Sequence, residues 1–234
     1  MKYVCLMYHE IAKPHKHKFY VTPENFKMQI GYMVKNGIKS IDLKNGLQGD
    51  VLITFDDGHK SNLEAAKILS NLGLKAVFYL VKDFSLKNEE YLNEQDIKEI
   101  HALGHTIGVH GKDHGWWTNK SKQRLVNEIT ETIEWIEKLT GEKVVTCSPP
   151  GGRILNKEFQ IIKQNFPLLK YIRNSVCYYS TDTDKMINSM PVTIDMGMDE
   201  FQKVLRMNYL YYKKALCVYH LKEFAKRIIY KIKR

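Results

Sequence analysis

The stretch that decides the fold is Leu52-Ile53-Thr54-Phe55-Asp56-Asp57-Gly58-His59. Its first residues are apolar and partly β-branched, which is typical of a strand that is covered on both faces. Two adjacent carboxylates then end the strand, and a cation or a shared proton would relieve their repulsion. The alternative is an ordinary turn that caps the next helix. Because neighbours on a strand point to opposite sides, we expect Asp56 and Asp57 to have different roles.

On either side of this stretch, predicted strands and helices alternate about seven times along the chain. This alternation indicates parallel strands joined by crossover helices, and therefore an α/β fold. Four predicted strands end in polar or special residues, namely Asp56-Asp57, His110, Ser148-Pro149-Pro150-Gly151-Gly152 and His220. The last of these strands is predicted over residues 216–220. In a parallel barrel the carboxyl ends of the strands meet at one mouth, so we expect these residues to lie there together.

The composition of the 234-residue chain is that of a globular protein, because 44% of its residues are hydrophobic. No stretch reaches the roughly 20 apolar residues that span a bilayer. Residues 1–9 are interpreted as a first strand and not as a secretory signal. The four cysteines (Cys5, Cys147, Cys177 and Cys217) are far apart and form no C-x-x-C pair. We therefore expect reduced thiols in a cytoplasmic protein.

The net charge of +10 is concentrated at the end of the chain. Residues 201–234 contain ten Lys or Arg and a single acid, Glu223, which makes that segment +9. Within residues 221–234 the apolar positions 221, 224, 225, 228, 229 and 232 share one face of a helix. This helix either packs on the core or lies on an anionic membrane surface or beside a phosphate-bearing substrate. The expected organisation is a barrel over residues 1–220 followed by a basic amphipathic helix over 221–234.

His110 and His114 are four residues apart, so on a helical turn they would share a face. Either histidine alone would more often be structural. Together with Asp57 they make a two-histidine, one-carboxylate set, which leaves positions open for water and substrate. The combination favours a metal site.

The order of these motifs resembles the polysaccharide deacetylase family, the family 4 carbohydrate esterases. The resemblance rests on Thr54-Phe55-Asp56-Asp57-Gly58, on Gly104-His105 followed by His110-x-x-x-His114, on the Ser-Pro-Pro-Gly-Gly break and on His220. The segment Met7-Tyr8-His9-Glu10 also resembles the opening strand of many members. The resemblance covers residues 3–220 and implies a distorted (β/α)7 barrel. The Ser-Pro-Pro-Gly-Gly-Arg version resembles a subgroup linked to surface-glycan assembly.

The resemblance also implies roles in a hydrolytic reaction. Asp57, His110 and His114 would bind a divalent metal, which is usually zinc. Asp56 would be the general base for the attacking water, and His220 the general acid that protonates the departing amine.

Further residues are implied on the substrate side of the site. The Gly151 N–H would stabilise the oxyanion, and Val218 matches the position that lines the pocket for the acetyl methyl group. Trp116 and Trp117 either form a sugar-stacking wall or are packing residues. His9 is also placed among the candidate substrate-binding residues.

Three departures from the family pattern weaken parts of this assignment. Ser148 stands where an arginine usually orients the base, and Arg153 or Arg173 is the candidate to replace it. Arg153 is also a candidate substrate-binding residue. Gly151 replaces a tyrosine, although a glycine still provides a backbone N–H. A fourth motif, an Asp with a Trp, has no clear match, because Asp182, Asp184 and Asp195 lack a partner tryptophan.

The expected function is removal of an N-acetyl group from a sugar during cell-surface polysaccharide biosynthesis, on a nucleotide- or lipid-linked intermediate. We expect the protein in the cytoplasm or at the inner face of the cell membrane. At that face, peripheral contact with anionic lipid is one of the expected interactions. The missing motif residues leave a catalytically impaired, glycan-binding barrel as the alternative. Nucleic acid is not an expected partner, because the basic charge lies in one terminal segment and no recognition motif is present.

Overall fold

A computed structural model describes residues 1–12 and 17–232 of the chain, with side chains described as far as residue 224. The strands are β1 (Lys2–Tyr8), β2 (Glu10–Ile11), β3 (Tyr20–Val21), β4 (Val51–Phe55), β5 (Ala76–Leu80), β6 (Thr106–Val109), β7 (Thr146–Cys147), β8 (Tyr171–Ile172), β9 (Ser180–Thr181) and β10 (Met190–Pro191). The helices are α1 (Pro23–Lys35), α2 (Asn62–Asn71), α3 (Lys82–Lys87), α4 (Glu94–Ala102), α5 (Lys122–Thr140), α6 (Asn156–Asn165), α7 (Met198–Leu205) and α8 (Tyr209–Ile232).

A curled sheet of parallel strands forms the centre of the molecule, in the order β10-β1-β4-β5-β6-β7-β8. The longest ladder joins β1 to β4, from Val4 opposite Val51 to Tyr8 opposite Phe55. A parallel bridge between Arg173 and Ile187 links the two outer parts of the sheet, which brings it close to closure. The architecture is the distorted (β/α)7 barrel that the sequence predicted. The carboxyl ends of the strands therefore face one mouth.

The central strands are buried because helices cover them. All five residues of β4 and of β5 are buried, as expected for parallel strands with crossover helices. Phe55 of β4 stacks on Phe78 of β5, with ring centroids 4.8 Å apart and planes only 6° from parallel. This packed interior fixes the ends of β4, β5 and β6, from which the site residues extend.

Helix starts follow the capping signals of the sequence. The Thr22 hydroxyl accepts a hydrogen bond from the Asn25 N–H at the start of α1. Asn93 and Asp96 form a reciprocal capping box at the start of α4. These local interactions satisfy N–H groups that have no partner within the helix.

The predicted strand over residues 216–220 is wrong, because these residues lie inside α8. A short turn at 206–208, with Met207 at a φ of +50°, separates α7 from α8. The Asn208 side chain then accepts a hydrogen bond from the Tyr211 N–H and begins the second helix. A further strand cannot pair with β1 here, because β10 already pairs with the side of β1 that faces away from β4. One helix therefore crosses position 220, where the sequence analysis placed a boundary.

No long helix among the described residues combines the length and the apolar character that a membrane crossing needs.

Candidate metal centre and cleft

The turn after β4 brings two adjacent carboxylates into the same cleft. The Asp56 N–H continues the ladder by donating to the Tyr8 carbonyl at 2.9 Å. Asp57 then has a φ of +70°, in the left-handed region. Gly58 follows with a φ of +74°, and a Cβ there would lie 2.9 Å from the Leu80 side chain. The left-handed turn ends the strand alternation, so Asp57 reaches the mouth beside Asp56.

The two histidines are carried by a loop and not by the helical turn that their spacing suggested. His110 directly follows β6, and the loop bends at Gly111, with a φ of +92°, and at His114, with a φ of +56°. The buried Glu128 of α5 holds the loop by accepting the Lys112 N–H at 3.0 Å. Backbone reversals and this tether therefore place the imidazoles side by side, with centroids 5.3 Å apart.

Asp57, His110 and His114 offer three ligand atoms that all lie within 4.8 Å of one another. The Nε2 atoms of His110 and His114 are 3.2 and 3.0 Å from the same oxygen, Asp57 Oδ1. This buried oxygen nevertheless has no directed hydrogen bond among the described residues. The His110 Nδ1 lies 2.8 Å from the Ser148 carbonyl, which requires Nδ1 to carry the proton.

The position of this proton bears on whether Asp57, His110 and His114 can bind a metal ion. With the proton on Nδ1, the neutral imidazole of His110 points the lone pair of Nε2 at a carboxylate oxygen. Two acceptors facing each other repel unless a metal ion or a proton lies between them. A carbonyl that orients the ligand histidine through its other nitrogen is also the usual support of a metal site. The donor set therefore fits a divalent cation held by two imidazoles and one carboxylate.

The electrostatics of the three groups are mutually dependent. Burial favours the neutral carboxyl of Asp57, but its polar contacts with His110 and His114 outweigh burial and hold its pKa well below the usual range. Burial likewise lowers the pKa of His110, yet the negative charges of Asp56 and Asp57 outweigh it and raise that pKa overall. The carboxylate is therefore ionised and available as a ligand.

Asp56 is held by a buried arginine that follows β8, on the far side of the curled sheet. Arg173, which follows β8, is fully buried and donates through Nη2 to Asp56 Oδ2 and to the Ser148 hydroxyl, the latter at 2.5 Å. Its Nη1 donates to the Ser189 hydroxyl at 2.9 Å, and its guanidinium lies 5.1 Å from the ring centroid of Tyr79. Of the two candidates from the sequence, Arg173 supplies the charge that position 148 lacks.

This arrangement leaves one oxygen of Asp56 free for chemistry. Asp56 Oδ1 is buried and has no hydrogen-bond partner among the described residues. Asp56 also lines the large cleft at the mouth of the barrel, together with Asp57, His110 and His114. One carboxylate oxygen is thus anchored to Arg173, while the other has no partner among the described residues and belongs to a residue that lines the cleft.

The cleft has a volume of about 1110 Å³. It is also lined by His9, the residue that follows β1. His9 Nδ1 is buried without a hydrogen-bond partner in the described part of the chain. Burial is the main cause that lowers the pKa of His9, so its ring is neutral near pH 7. Its ring lies 5.0 Å from that of Phe19, which lines the same cleft.

The Ser-Pro-Pro-Gly-Gly break forms part of the cleft wall through Gly151 and Gly152. Gly151 has a φ of +66°, and a Cβ there would lie 3.0 Å from Trp116 Nε1. The left-handed backbone and the nearby indole therefore both favour a glycine at position 151. Trp116 is half-buried against Gly151 at this edge of the cleft.

The buried position of Trp117 contradicts the prediction that this residue stacks on a sugar. Its side chain is fully buried in the core, so it cannot meet a sugar in this structure, and the packing interpretation is the right one.

The structure places the remaining candidate residues, which are Val218, His220 and Arg153, in different surroundings. Val218 lines the cleft, although from α8 and not from a strand. His220 is exposed on α8 and is not among the described residues that line the cleft. Arg153 is directed to α8, where its Nε lies 3.8 Å from Glu223 Oε2. The structure therefore does not bring His220 or Arg153 to the metal ligands.

Aromatic residues that the sequence analysis did not single out also border the site. Tyr91 lines the cleft, and its ring is 4.5 Å from that of Phe84. Phe84 in turn lies 5.7 Å from the ring of His114. No spacing in the sequence separates these aromatic residues from core residues, because only the fold places them at the mouth.

Comparison with known proteins gives a consistent result. Residues 44–165 match the family model described as polysaccharide deacetylase. A peptidoglycan-N-acetylglucosamine deacetylase of Bacillus cereus is 31% identical over 116 residues, which cover 49% of this chain and 52% of that protein. The chain spans about half the length of the Bacillus relatives it matches.

Solved structures share the fold. The Streptococcus pyogenes deacetylase PplD, in complex with acetate, superposes with a TM-score of 0.79 at 19% identity and covers 88% of this chain and 98% of that one. A polysaccharide deacetylase from Bacillus cereus gives a TM-score of 0.77 at 21% identity, over 88% of this chain and 69% of that one. Since the family model covers more than half of the sequence, the chain belongs to the polysaccharide deacetylase family.

Proposed function

We propose that the protein is a metal-dependent hydrolase that removes the acetyl group from an N-acetylated sugar. The observation that carries this proposal is the convergence of Asp57, His110 and His114 beside the free oxygen of Asp56 in an open cleft. A divalent cation held by these three residues would polarise the amide carbonyl and lower the pKa of water. We propose zinc, because two imidazoles and one carboxylate with open positions suit it.

Each residue around the cleft then has a defined task. Asp56 Oδ1 accepts a proton from the attacking water, while Arg173 fixes the other carboxylate oxygen and so directs the base. The water oxygen bonds to the acetyl carbon, and the C–N bond breaks to release acetate and the free amine. The exposed backbone of Gly151 at the cleft edge offers its N–H to the oxyanion.

The departing nitrogen needs a proton, and we propose that the neutral ring of His9, in place of His220, passes to it the proton that Asp56 takes from the attacking water. His9 lines the cleft with an Nδ1 that has no partner in the part of the chain that the structure describes, whereas His220 is exposed elsewhere on α8. Substitution of His9 by Gln is expected to lower kcat by about 10²-fold or more with metal content unchanged, because proton transfer is worth about 10²–10⁴-fold. His220→Gln should stay within about twofold of wild type by the same reasoning. Loss of activity in His220→Gln alone would restore the original assignment.

We propose an N-acetylglucosamine unit as the substrate class. This is supported by the names of the Bacillus cereus and Listeria monocytogenes relatives, which are peptidoglycan-N-acetylglucosamine deacetylases. The finer proposal is a lipid- or nucleotide-linked intermediate of surface polysaccharide assembly, met at the inner face of the membrane. The free thiols of all four cysteines are compatible with that compartment.

The deciding experiment combines metal analysis of purified protein with acetate release. The probes are an N-acetylglucosamine oligosaccharide, a nucleotide-linked N-acetylglucosamine and a polyprenyl-diphosphate-linked one, each with and without zinc. We expect acetate from at least one probe and about one equivalent of metal, with both lost in Asp57→Ala and His114→Ala. Metal retained in both variants would contradict the site.

The alternative is a glycan-binding barrel without catalysis, which predicts no acetate from any probe even with metal supplied. One of the two reasons for this alternative was the missing arginine of the third motif. That reason no longer holds, because Arg173, which follows β8, contacts Asp56. The enzyme is therefore the better-supported proposal.

A further inference from the structure

Helix α8 has apolar residues on two opposite faces. The inner face packs on the body through the buried Tyr212 and the partly buried Ala215. The outer face exposes Leu210 at 74%, and Leu221 and Phe224 at 64% each. Positions 210, 217, 221 and 224 are seven, four and three residues apart, so they form one stripe along the helix.

An outer stripe of this kind needs an explanation, because a helix whose apolar residues face only the body would leave its solvent side polar. Two large apolar side chains within one turn, Leu221 and Phe224, form a contiguous exposed patch, and such patches mark sites of contact. The packing interpretation from the sequence predicted that positions 221 and 224 face the core. Their exposure argues against it for this part of the helix.

The charges along the stripe select the partner. Lys213, Lys214 and Lys222 are exposed on the same stretch of α8. The acid of this stretch, Glu223, is directed to Arg153. A second copy of the chain would place lysines against lysines, whereas an anionic surface would attract them. A lipid bilayer fits both the apolar side chains and the lysines. The apolar side chains would lie below the lipid phosphates, and the lysines would lie among the phosphates.

The stripe lies beside the mouth of the cleft. Leu210, Lys214, Val218 and Lys222 of α8 all line the cleft. A surface that contacts the outer side of α8 is therefore within reach of the space that holds the metal ligands.

We propose that α8 docks on an anionic lipid bilayer through Leu210, Leu221 and Phe224, with Lys213, Lys214 and Lys222 at the phosphate level. Docking holds the mouth of the cleft at the membrane surface. Its consequence for the substrate, that the sugar is lipid-linked, rests on the proposed N-deacetylase function. The docking itself does not depend on catalysis.

The test is co-sedimentation of the full chain with vesicles of phosphatidylcholine plus phosphatidylglycerol, and with vesicles of phosphatidylcholine alone. We expect binding to the anionic vesicles that weakens with added salt. Leu221→Ser/Phe224→Ser should bind about tenfold more weakly or worse, because two apolar side chains no longer enter the bilayer. Lys213→Glu should weaken binding to anionic vesicles selectively.

Matched controls separate the surface from the fold and from the chemistry. Leu168→Ser removes a leucine that is 52% exposed outside α8, so it should bind as wild type does. Asp57→Ala should also bind normally, since its effect falls on the metal. Leu221→Ser/Phe224→Ser should keep the thermal midpoint and acetate release from a soluble N-acetylglucosamine oligosaccharide.

Several outcomes would overturn the proposal. One is failure of the wild type to bind anionic vesicles, and another is equal loss of binding in Leu168→Ser. Self-association that the Leu221→Ser/Phe224→Ser change abolishes, without vesicle binding, would assign the stripe to a second copy. Salt-sensitive binding of single-stranded RNA without vesicle binding would assign it to nucleic acid. Vesicle binding without acetate release would leave docking intact and reject the proposed function instead.

Discussion

The pair formed by Arg173 and Asp56 makes the sharpest prediction from this structure. The change is Arg173→Met, which keeps a long side chain but removes the cation. The Arg173 side chain is 0% exposed and that of Asp56 only 4%. Removing one partner of such a buried pair leaves an uncompensated charge in the interior, which costs about 3–5 kcal/mol in the free energy of unfolding. The hydroxyls of Ser148 and Ser189 also lose their donor.

The magnitude can be divided by a double-mutant cycle. Asp56→Asn removes the charge that Arg173 balances, so Arg173→Met in that background should cost less by about 1–3 kcal/mol. The assay is urea unfolding at pH 7 with chelator present, so that metal does not contribute to the free energy. Unchanged m-values would show that the comparison concerns stability and not a change in the unfolding transition.

The result that would refute the reasoning is equally clear. A cost of less than about 1 kcal/mol for Arg173→Met is the value of an exposed pair and would show that the pair is not buried as described. Additive costs in the cycle would show that Arg173 does not act through Asp56. The matched variant Arg153→Met provides the control, because Arg153 is directed to Glu223 and should cost under about 1 kcal/mol.

The remaining predictions concern the metal, the glycine break and a core histidine. Zinc at a hundredfold excess over its Kd should raise the free energy of unfolding by about 2.7 kcal/mol, seen as a higher thermal midpoint, and His114→Ala should abolish the increase; an equal increase in that variant would contradict the ligand set. Gly152→Ala should destabilise by about 1–3 kcal/mol in urea unfolding, since its Cβ would lie 2.1 Å from Ser175 Oγ at a φ of +66°, whereas Gly31→Ala, with open space around it, should stabilise α1 by up to about 1 kcal/mol. His105 is buried and burial lowers its pKa, so the unfolded chain binds the extra proton. Stability should therefore be full above about pH 6.5 and fall below it by up to about 1.4 kcal/mol per pH unit. Urea unfolding of His105→Asn should show a flatter pH dependence, and an unchanged slope would exclude this histidine as the cause.

Some features were predictable because they depend on interactions that are local in the chain. The apolar run before Asp56 identified β4, and the residues that cap α4, Asn93 and Asp96, are likewise close in the chain. The alternation of strands and helices indicated the parallel barrel. Periodicity and capping are properties of a few consecutive residues, so a sequence carries them directly.

The failures have equally physical causes. Residues 216–220 are rich in residues that favour strands, yet they lie in α8, because the neighbouring edge of β1 is already occupied by β10. Strand propensity is weak when no sheet edge is available to pair with. The assignment of His220 to the mouth failed with that strand. Trp117 could not be distinguished from a cleft residue, because burial is not encoded in residue type.

The sequence by itself determined which groups take part in the candidate metal centre, since Asp57 and His110 stand at the ends of predicted strands and His114 follows four residues later. It could not decide how those groups meet. The positive φ values of Asp57 and His114 direct their side chains to one point, and Arg173 reaches Asp56 across 117 residues of chain. Such contacts join residues that are distant in sequence, and only the curled arrangement of the parallel strands makes them neighbours.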